Sequence, residues 1–184
     1  MRNAVITGAG CISVAGDLPA ELGEALKKNE QLSCDITAFE PAPGEPTKAC
    51  EISEFDLKEH VPSIKGYIDR TSALALASTR LALESAGLLE ESRTEGEEVG
   101  LIYGTQWGCL DSMELYYAKL KSGNPRFAPP LPFSHSYANS PASVQAIELK
   151  LRGYHLVHSS GRTSGAWTLA SAFDAVGLGR ADRI

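Results

Sequence analysis

"HSSGRTSGAWTLASAF", residues 158–173, runs from the end of a strand-like segment through a glycine turn into an alanine-rich tract with helical spacing. A strand, a tight turn and a helix in immediate succession are one unit of a layered α/β fold. The turn sets Arg162 just ahead of the first helical turn, where the helix already presents the positive end of its dipole. A fixed cation is an unusual choice there, so Arg162 marks a position with a reason to be read closely.

Working outward, "YHLVHS", 154–159, is the strand that feeds this turn, and the helix runs from about Thr163 to Leu178 with Ala166, Leu169, Phe173 and Val176 on one face. The final "ADRI" predicts entry into another strand. Upstream, "VGLIYGT", 99–105, predicts a buried strand, and "DSMELYYAKLKSG" predicts an amphipathic helix starting at Asp111 and stopping at Gly123. "GNPRFAPPLPF", 123–133, reads as a loop, and "SPASVQAIELKL", 140–151, as a helix with Pro141 near its start.

Residues 69–87, "DRTSALALASTRLALESAG", are small or apolar nearly all round, so they predict a helix buried on most sides, with Asp69, Thr71 or Ser72 as caps and Gly87 at its end. "NAVITGAG", 3–10, predicts a first central strand. "DLPAELGEAL", 17–26, predicts a helix capped by Asp17, and "FEPAPGEPT", 39–47, a loop. Strands alternating with helices over the whole length give the expected class: an α/β domain over residues 1–184 with a mostly parallel sheet between helical layers.

Composition narrows the function. The 184 residues are 43% hydrophobic and 22% charged, ordinary values for a chain that folds around one core. Seventeen Lys and Arg against 23 Asp and Glu give a net charge of −6, which repels a phosphate backbone, so nucleic acid is not an expected partner. Cys11, Cys34, Cys50 and Cys109 are scattered, with neither a CxxC pair nor a zinc-type His spacing, so they read as thiols of a cytoplasmic protein without a metal. No apolar run approaches the length of a membrane span.

Three motifs invite chemistry and fall short of it. In "TGAGCISVAG", 7–16, the third glycine of a dinucleotide fingerprint would fall at Ser13, and no acidic residue closes a second strand at the required distance. His155 and His158 are three apart on a strand and therefore point to opposite faces. "GRTSG" places Ser164 outside the GxSxG pattern of a hydrolase elbow. No cofactor is expected.

"AVITGAGCISVAG", "IDRTSALALASTRLALESAGL", "VGLIYGT", "NSPASVQAIELKLRG" and "SGRTSGAWTLASAFDAVGLGRAD" together resemble, in order and spacing, the N-terminal half of β-ketoacyl-acyl-carrier-protein synthases. The resemblance covers nearly the whole chain. It implies a thiolase-like fold, in which two similar βαβαβαββ halves stack as α-β-α-β-α layers and two subunits pair through their sheets; this chain resembles the first half only.

The family nucleophile lies in a motif similar to T-A-C-A-S-G. Ser164 and Gly165 match its last two residues, which puts Arg162 at the cysteine. A cysteine at a helix N-terminus is activated because the dipole favours thiolate; arginine has no nucleophilic form. The two family histidines belong to the second half, and none of His60, His135, His155 or His158 matches them. A further departure is Gly153-Tyr154, where the family commonly has Gly-Pro.

The resemblance thus implies a ketosynthase-like protein of fatty acid or polyketide biosynthesis, without catalytic residues of its own, accompanying a complete ketosynthase as a chain length factor does. It implies partner-pocket residues at Gln106, Trp107, Phe133, Arg162 and Thr163, beside Pro129 and Pro130. A sheet edge at Tyr154, His155, Leu156, Val157 and His158 would form a homodimer or a heterodimer with a ketosynthase. A half-length chain would also leave helix 69–87 more exposed. The alternatives are half of a split condensing or decarboxylating enzyme completed by a separate C-terminal half, and a module binding acyl carrier protein through Lys65, Arg70, Lys119, Lys121 and Arg126.

Overall fold

A parallel pair of strands carries the site. In the computed structural model, which describes residues 2–62, 64, 66–89 and 98–184, β3 (Leu101–Gly104) lies beside β4 (His155–His158) with Leu101 opposite His155 and Gly104 opposite His158. Parallel strands need a long crossover. Here it holds α4 (Leu110–Ser122), α5 (Pro130–Ser134) and α6 (Ser140–Glu148). The return helix α7 (Ser164–Gly177) packs on both strands. It comes so close that a Cβ on Gly104 would lie 2.7 Å from Thr168 Cγ2 and 2.8 Å from the Ser164 carbonyl oxygen. Only glycine fits there.

The ladder decides which backbone groups remain free. Leu101 N–H donates to the Tyr154 carbonyl at 2.8 Å and Thr105 N–H to that of His158 at 2.9 Å. In a parallel register, Leu156 and His158 therefore aim their own N–H groups back at β3. His155 and Val157 are the residues of β4 whose amides face outward. Among the described residues no strand pairs with the outer side of β4, and Leu156, expected at a partner edge, serves the interior ladder.

Behind the strands, α3 (Arg70–Ser85) is the central helix. Its Leu76, Ala77 and Leu83 meet Leu57 of α2 (Leu57–His60), Val61, Val99, Val144 of α6, Leu149 and Leu151 in one apolar core. Thr79 Oγ1 donates to Gln145 Oε1 at 2.5 Å, while Gln145 Nε2 donates to the Pro141 carbonyl at 3.0 Å, so this buried amide is satisfied on both ends. No described residue from 71 to 83 is exposed. The exposure expected of helix 69–87 falls on α7 instead, where Leu169 and Phe173 are 68% and 52% exposed. The face bearing Ala166, Leu169, Phe173 and Val176 is not the one α7 turns to the sheet; its small residues Ser164 and Thr168 are.

Several local expectations need correction. Residues 3–10 form no strand, and Val5 and Ile6 are 79% and 85% exposed. A strand requires a ladder partner, and among the described residues β3 pairs with β4 alone. The segment is held instead by Arg2 N–H on the Gly177 carbonyl at 3.0 Å and by close approach to α3 at Gly8 and Gly10. Asp17 does not cap the first helix, α1 (Pro19–Lys28); Leu18 is the N-cap residue, and the Glu21 carboxylate accepts from its N–H at 3.1 Å. The 39–47 loop is present and joins a small hairpin of β1 (Cys34–Asp35) and β2 (Lys48–Ala49). Segment 123–133 is partly helical, because proline is compatible with a first helical turn. The "ADRI" tail forms no strand, though Gly100 N–H donates to the Arg183 carbonyl at 2.9 Å.

A Cβ on Gly10 would overlap the Ser78 carbonyl and the Ala82 amide, both rigid α3 backbone. Gly10→Ala should therefore destabilise by about 1–3 kcal/mol. Gly23→Ala, within α1 and with nothing inside 4 Å, should stabilise by roughly 0.5–1 kcal/mol. Urea denaturation of both variants reads the opposite signs; equal effects would remove the packing role assigned to Gly10.

Candidate functional site at the carboxyl ends of β3 and β4

The turn after β4 is built around one hydroxyl. Ser164, 3% exposed, accepts from Ser160 N–H at 2.9 Å and lies 2.7 Å from the Thr105 carbonyl and 2.8 Å from the Gly161 carbonyl, to which its hydroxyl donates. This ties the turn to the end of the neighbouring strand. Gly161 takes φ +65°, which glycine adopts without strain, and Gly161–Thr163 form a single 3-10 turn running into α7.

Arg162 projects from that turn, exposed, with no side-chain hydrogen bond or ion pair among the described residues. Thr163 is exposed too, and its hydroxyl donates to the Ser160 carbonyl at 3.0 Å. Just across, Gln106 and Trp107 leave the end of β3, with Trp107 71% exposed. Their turn is closed by Gly108 N–H on Thr105 Oγ1 at 2.9 Å. Four of the five expected pocket residues thus sit at the carboxyl ends of adjacent parallel strands, where open α/β sheets bind ligands. Phe133 belongs to another cluster: on α5, its ring is 5.2 Å from Tyr116 and 5.5 Å from Tyr137.

Each histidine has a local partner. His155 Nδ1 is 2.7 Å from the Gly153 carbonyl, His158 Nε2 is 2.8 Å from Ser171 Oγ, and His60 Nε2 is 3.2 Å from Asp17. His155 and His158 turn to different neighbours. Gly8 and Gly10 face helix backbone, which accounts for the glycines of 7–16 by packing. Among the basic residues, Arg70 binds the Ile52 carbonyl, Lys121 stacks over Tyr117 at 5.6 Å, and Lys65 lies outside the described residues.

A buried polar cluster was not visible in sequence beyond the naming of Asp69 as a cap. Asp69 accepts from Ser72 N–H at 2.9 Å and Ser72 Oγ at 2.6 Å, and its Oδ2 is 3.6 Å from His135 Nδ1. The same Nδ1 lies 3.4 Å from Ser140 Oγ. A relay needs acid and serine on opposite ring nitrogens, so this Ser, His and Asp do not make a hydrolytic triad. Nearby, burial pushes the Cys109 thiol up to about 12, with the Asp69 charge adding to the effect. It is not a nucleophile at neutral pH.

The family comparison agrees with this architecture over the whole chain: the model described as "Beta-ketoacyl synthase, N-terminal domain" matches residues 1–184. The chain belongs to the β-ketoacyl synthase family. It is 28% identical over 188 residues to the tetracenomycin polyketide synthase ketoacyl synthase alpha subunit of Streptomyces glaucescens, covering 98% of this chain and 44% of that protein. It is 27% identical over 173 residues to 3-oxoacyl-[acyl-carrier-protein] synthase 2 of Coxiella burnetii, covering 93% and 41%. The ishigamide ketosynthase/chain length factor shares the thiolase-like ketosynthase fold at TM-score 0.79 and 24% identity, over 98% of this chain and 50% of that one. This ketosynthase domain therefore spans less than half the length of those two curated relatives.

Native-state alkylation with iodoacetamide should modify exposed Cys34 and Cys50 while sparing Cys109 until the chain is unfolded. Because burial favours the neutral thiol, Cys109 should lower stability only above pH ~9, as the unfolded thiol ionises first. Peptide mass spectrometry checks the first outcome; rapid native labelling of Cys109 would contradict its placement.

Proposed function

We propose that this ketosynthase-family chain serves fatty acid or polyketide biosynthesis as a non-catalytic, chain-length-factor-like partner of a complete ketosynthase. The observation that carries the reading is Arg162: by the motif it occupies the nucleophile position, and no other side chain there supplies the missing chemistry. Ser164 Oγ is buried and hydrogen-bonded, and the Thr163 hydroxyl is engaged with backbone. The likeness to a ketosynthase/chain length factor structure supports the fold of such a partner. In this reading Gln106, Trp107 and Arg162 border the partner's acyl pocket, and Phe133 approaches it from the α5 side.

The purified chain, incubated with an acyl-loaded carrier protein, should gain no acyl mass by intact-protein mass spectrometry. Arg162→Cys should create a thiol that can be alkylated and slowly acylated without multiple-turnover condensation. Condensation by the single mutant alone would overturn the reading.

The partner edge of this proposal is the outer side of β4, whose free amides are those of His155 and Val157. Val157→Pro removes an outward donor and leaves the interior ladder intact. Light scattering should show the wild type as a dimer, alone or with a co-expressed ketosynthase, and the folded variant as a monomer. A folded variant as large as the wild type would exclude this edge.

A further inference from the structure

The segment between α4 and α6 has little of its own to hold it in place. Its helix α5 has five residues, too few to be stable alone, and Pro129, Pro130 and Pro132 supply no backbone donors. Pro132 and Ser136 are buried, but the large side chains Phe127, Leu131, Phe133 and Tyr137 are exposed. The anchor is His135, whose side chain is 17% exposed and whose Nδ1 lies 3.6 Å from the Asp69 carboxylate. We propose that His135 is a positioning residue: by latching α5 to Asp69 it fixes where the Phe133 ring stands, and thereby the length of acyl chain that a ketosynthase partner completes. This inference rests on the chain-length-factor-like reading.

The partners of the imidazole come from several elements. Asp69 Oδ1 accepts from Ser72 N–H and Oδ2 from Ser72 Oγ, and each carboxylate oxygen has room for a second donor. Oδ2 is the oxygen that His135 Nδ1 faces. Ser140 Oγ, at the start of α6, lies 3.4 Å from the same nitrogen, and the Tyr67 ring meets the imidazole edge-on at 5.1 Å. A proton on Nδ1 therefore ties the end of α5 to the starts of α3 and α6. Because Asp69 is buried at the first turn of α3, the latch refers α5 to the core and not to its exposed neighbours.

Phe133 stands just before His135 on the same short helix. Its ring meets Tyr116 of α4 at 5.2 Å and Tyr137 at 5.5 Å. Aromatic pairs keep their attraction over a range of offsets, so these contacts hold Phe133 beside α4 without fixing its depth along that helix. The latch supplies the missing coordinate. A fixed ring bordering the partner's acyl pocket ends that pocket at one depth. A released ring yields, and longer chains fit.

The test compares the whole chain with its His135→Phe and His135→Asn variants. Phenylalanine keeps a ring against Tyr67 and removes the nitrogen; asparagine returns a nitrogen at the same bond distance from the backbone. The His135 and Ser136 amides donate to the Leu131 and Phe133 carbonyls. Their hydrogen exchange should quicken about tenfold in His135→Phe and stay within about threefold of wild type in His135→Asn, with the Leu101 and Thr105 ladder amides unchanged in both. Paired with a co-expressed ketosynthase and given acyl- and malonyl-loaded carrier protein, His135→Phe should shift the products to longer chains by mass spectrometry, and His135→Asn should restore the wild-type length. If His135→Phe does not fold, Ser140→Ala, which leaves the Ser72 bonds to Asp69 in place, is read in its stead with the same direction expected in both measurements. Unchanged exchange in the folded variant overturns the proposal, and so does faster exchange with wild-type products. A wild type that pairs with no ketosynthase overturns the partner reading and this inference with it, whereas pairing with products insensitive to His135 overturns this inference alone.

Discussion

A carboxylate buried at the start of α3 is the interaction on which the rest of the molecule depends. Asp69 is 2% exposed, and a charge in that environment costs several kcal/mol unless its oxygens are satisfied. Two bonds from Ser72 do so while capping the helix, and His135 approaches the second oxygen. One group thus fixes three things: the first turn of α3, the segment joining α5 to α6, and, through the neighbouring Cys109, the entry to α4. Once α3 is placed, Gly8 and Gly10 must approach its backbone, and Thr79 must meet Gln145. The strand pair then takes its position through the shared core at Val99, Leu149 and Leu151.

The opposite side of the molecule follows a different rule. Helix α7 uses its small residues to approach β3, and that leaves its large apolar residues, Leu169 and Phe173, turned away from the sheet. Leu169 and Phe173 are 68% and 52% exposed, an apolar surface of the kind that marks contact sites. Burying each such side chain is worth roughly 1.5–3 kcal/mol. The same geometry that makes the close contact at Gly104 therefore leaves an apolar face on the other side of α7.

The helices were largely legible in the sequence, because apolar spacing and end signals are local: Asp69 and Pro141 mark the starts of α3 and α6, and Gly123 the stop of α4. The parallel pair was legible for the same reason. What escaped was whatever depends on a neighbour. Residues 3–10 carry the pattern of a central strand, yet strand formation needs a partner that this stretch does not have. The inward and outward faces of α7 look alike in apolar content, and only the closeness of the sheet selects the small one. Leu156 reads as an edge residue in sequence, because a strand's sequence does not say which amides its neighbour takes. At the site, Arg162 was legible as an oddity, whereas the hydroxyl that builds its turn, Ser164, gives no sign of reaching across to Thr105.

That turn also explains how an arginine is tolerated there. A cation before a helix N-terminus opposes the dipole by about 0.3–1 kcal/mol when exposed. Arg162 is exposed, so water screens most of that cost. The conformation of the turn is set by Gly161 and by the bonds of Ser164, neither of which involves the Arg162 side chain. Under the proposed reading, the scaffold that would present a thiolate is preserved, while the group it presents has changed from one the dipole activates to one the dipole repels. An exposed side chain with no ion pair among the described residues has its charge available for a carboxylate or other anion on a surface that covers the strand ends. In a partner subunit, such a contact would serve recognition and leave no nucleophile behind.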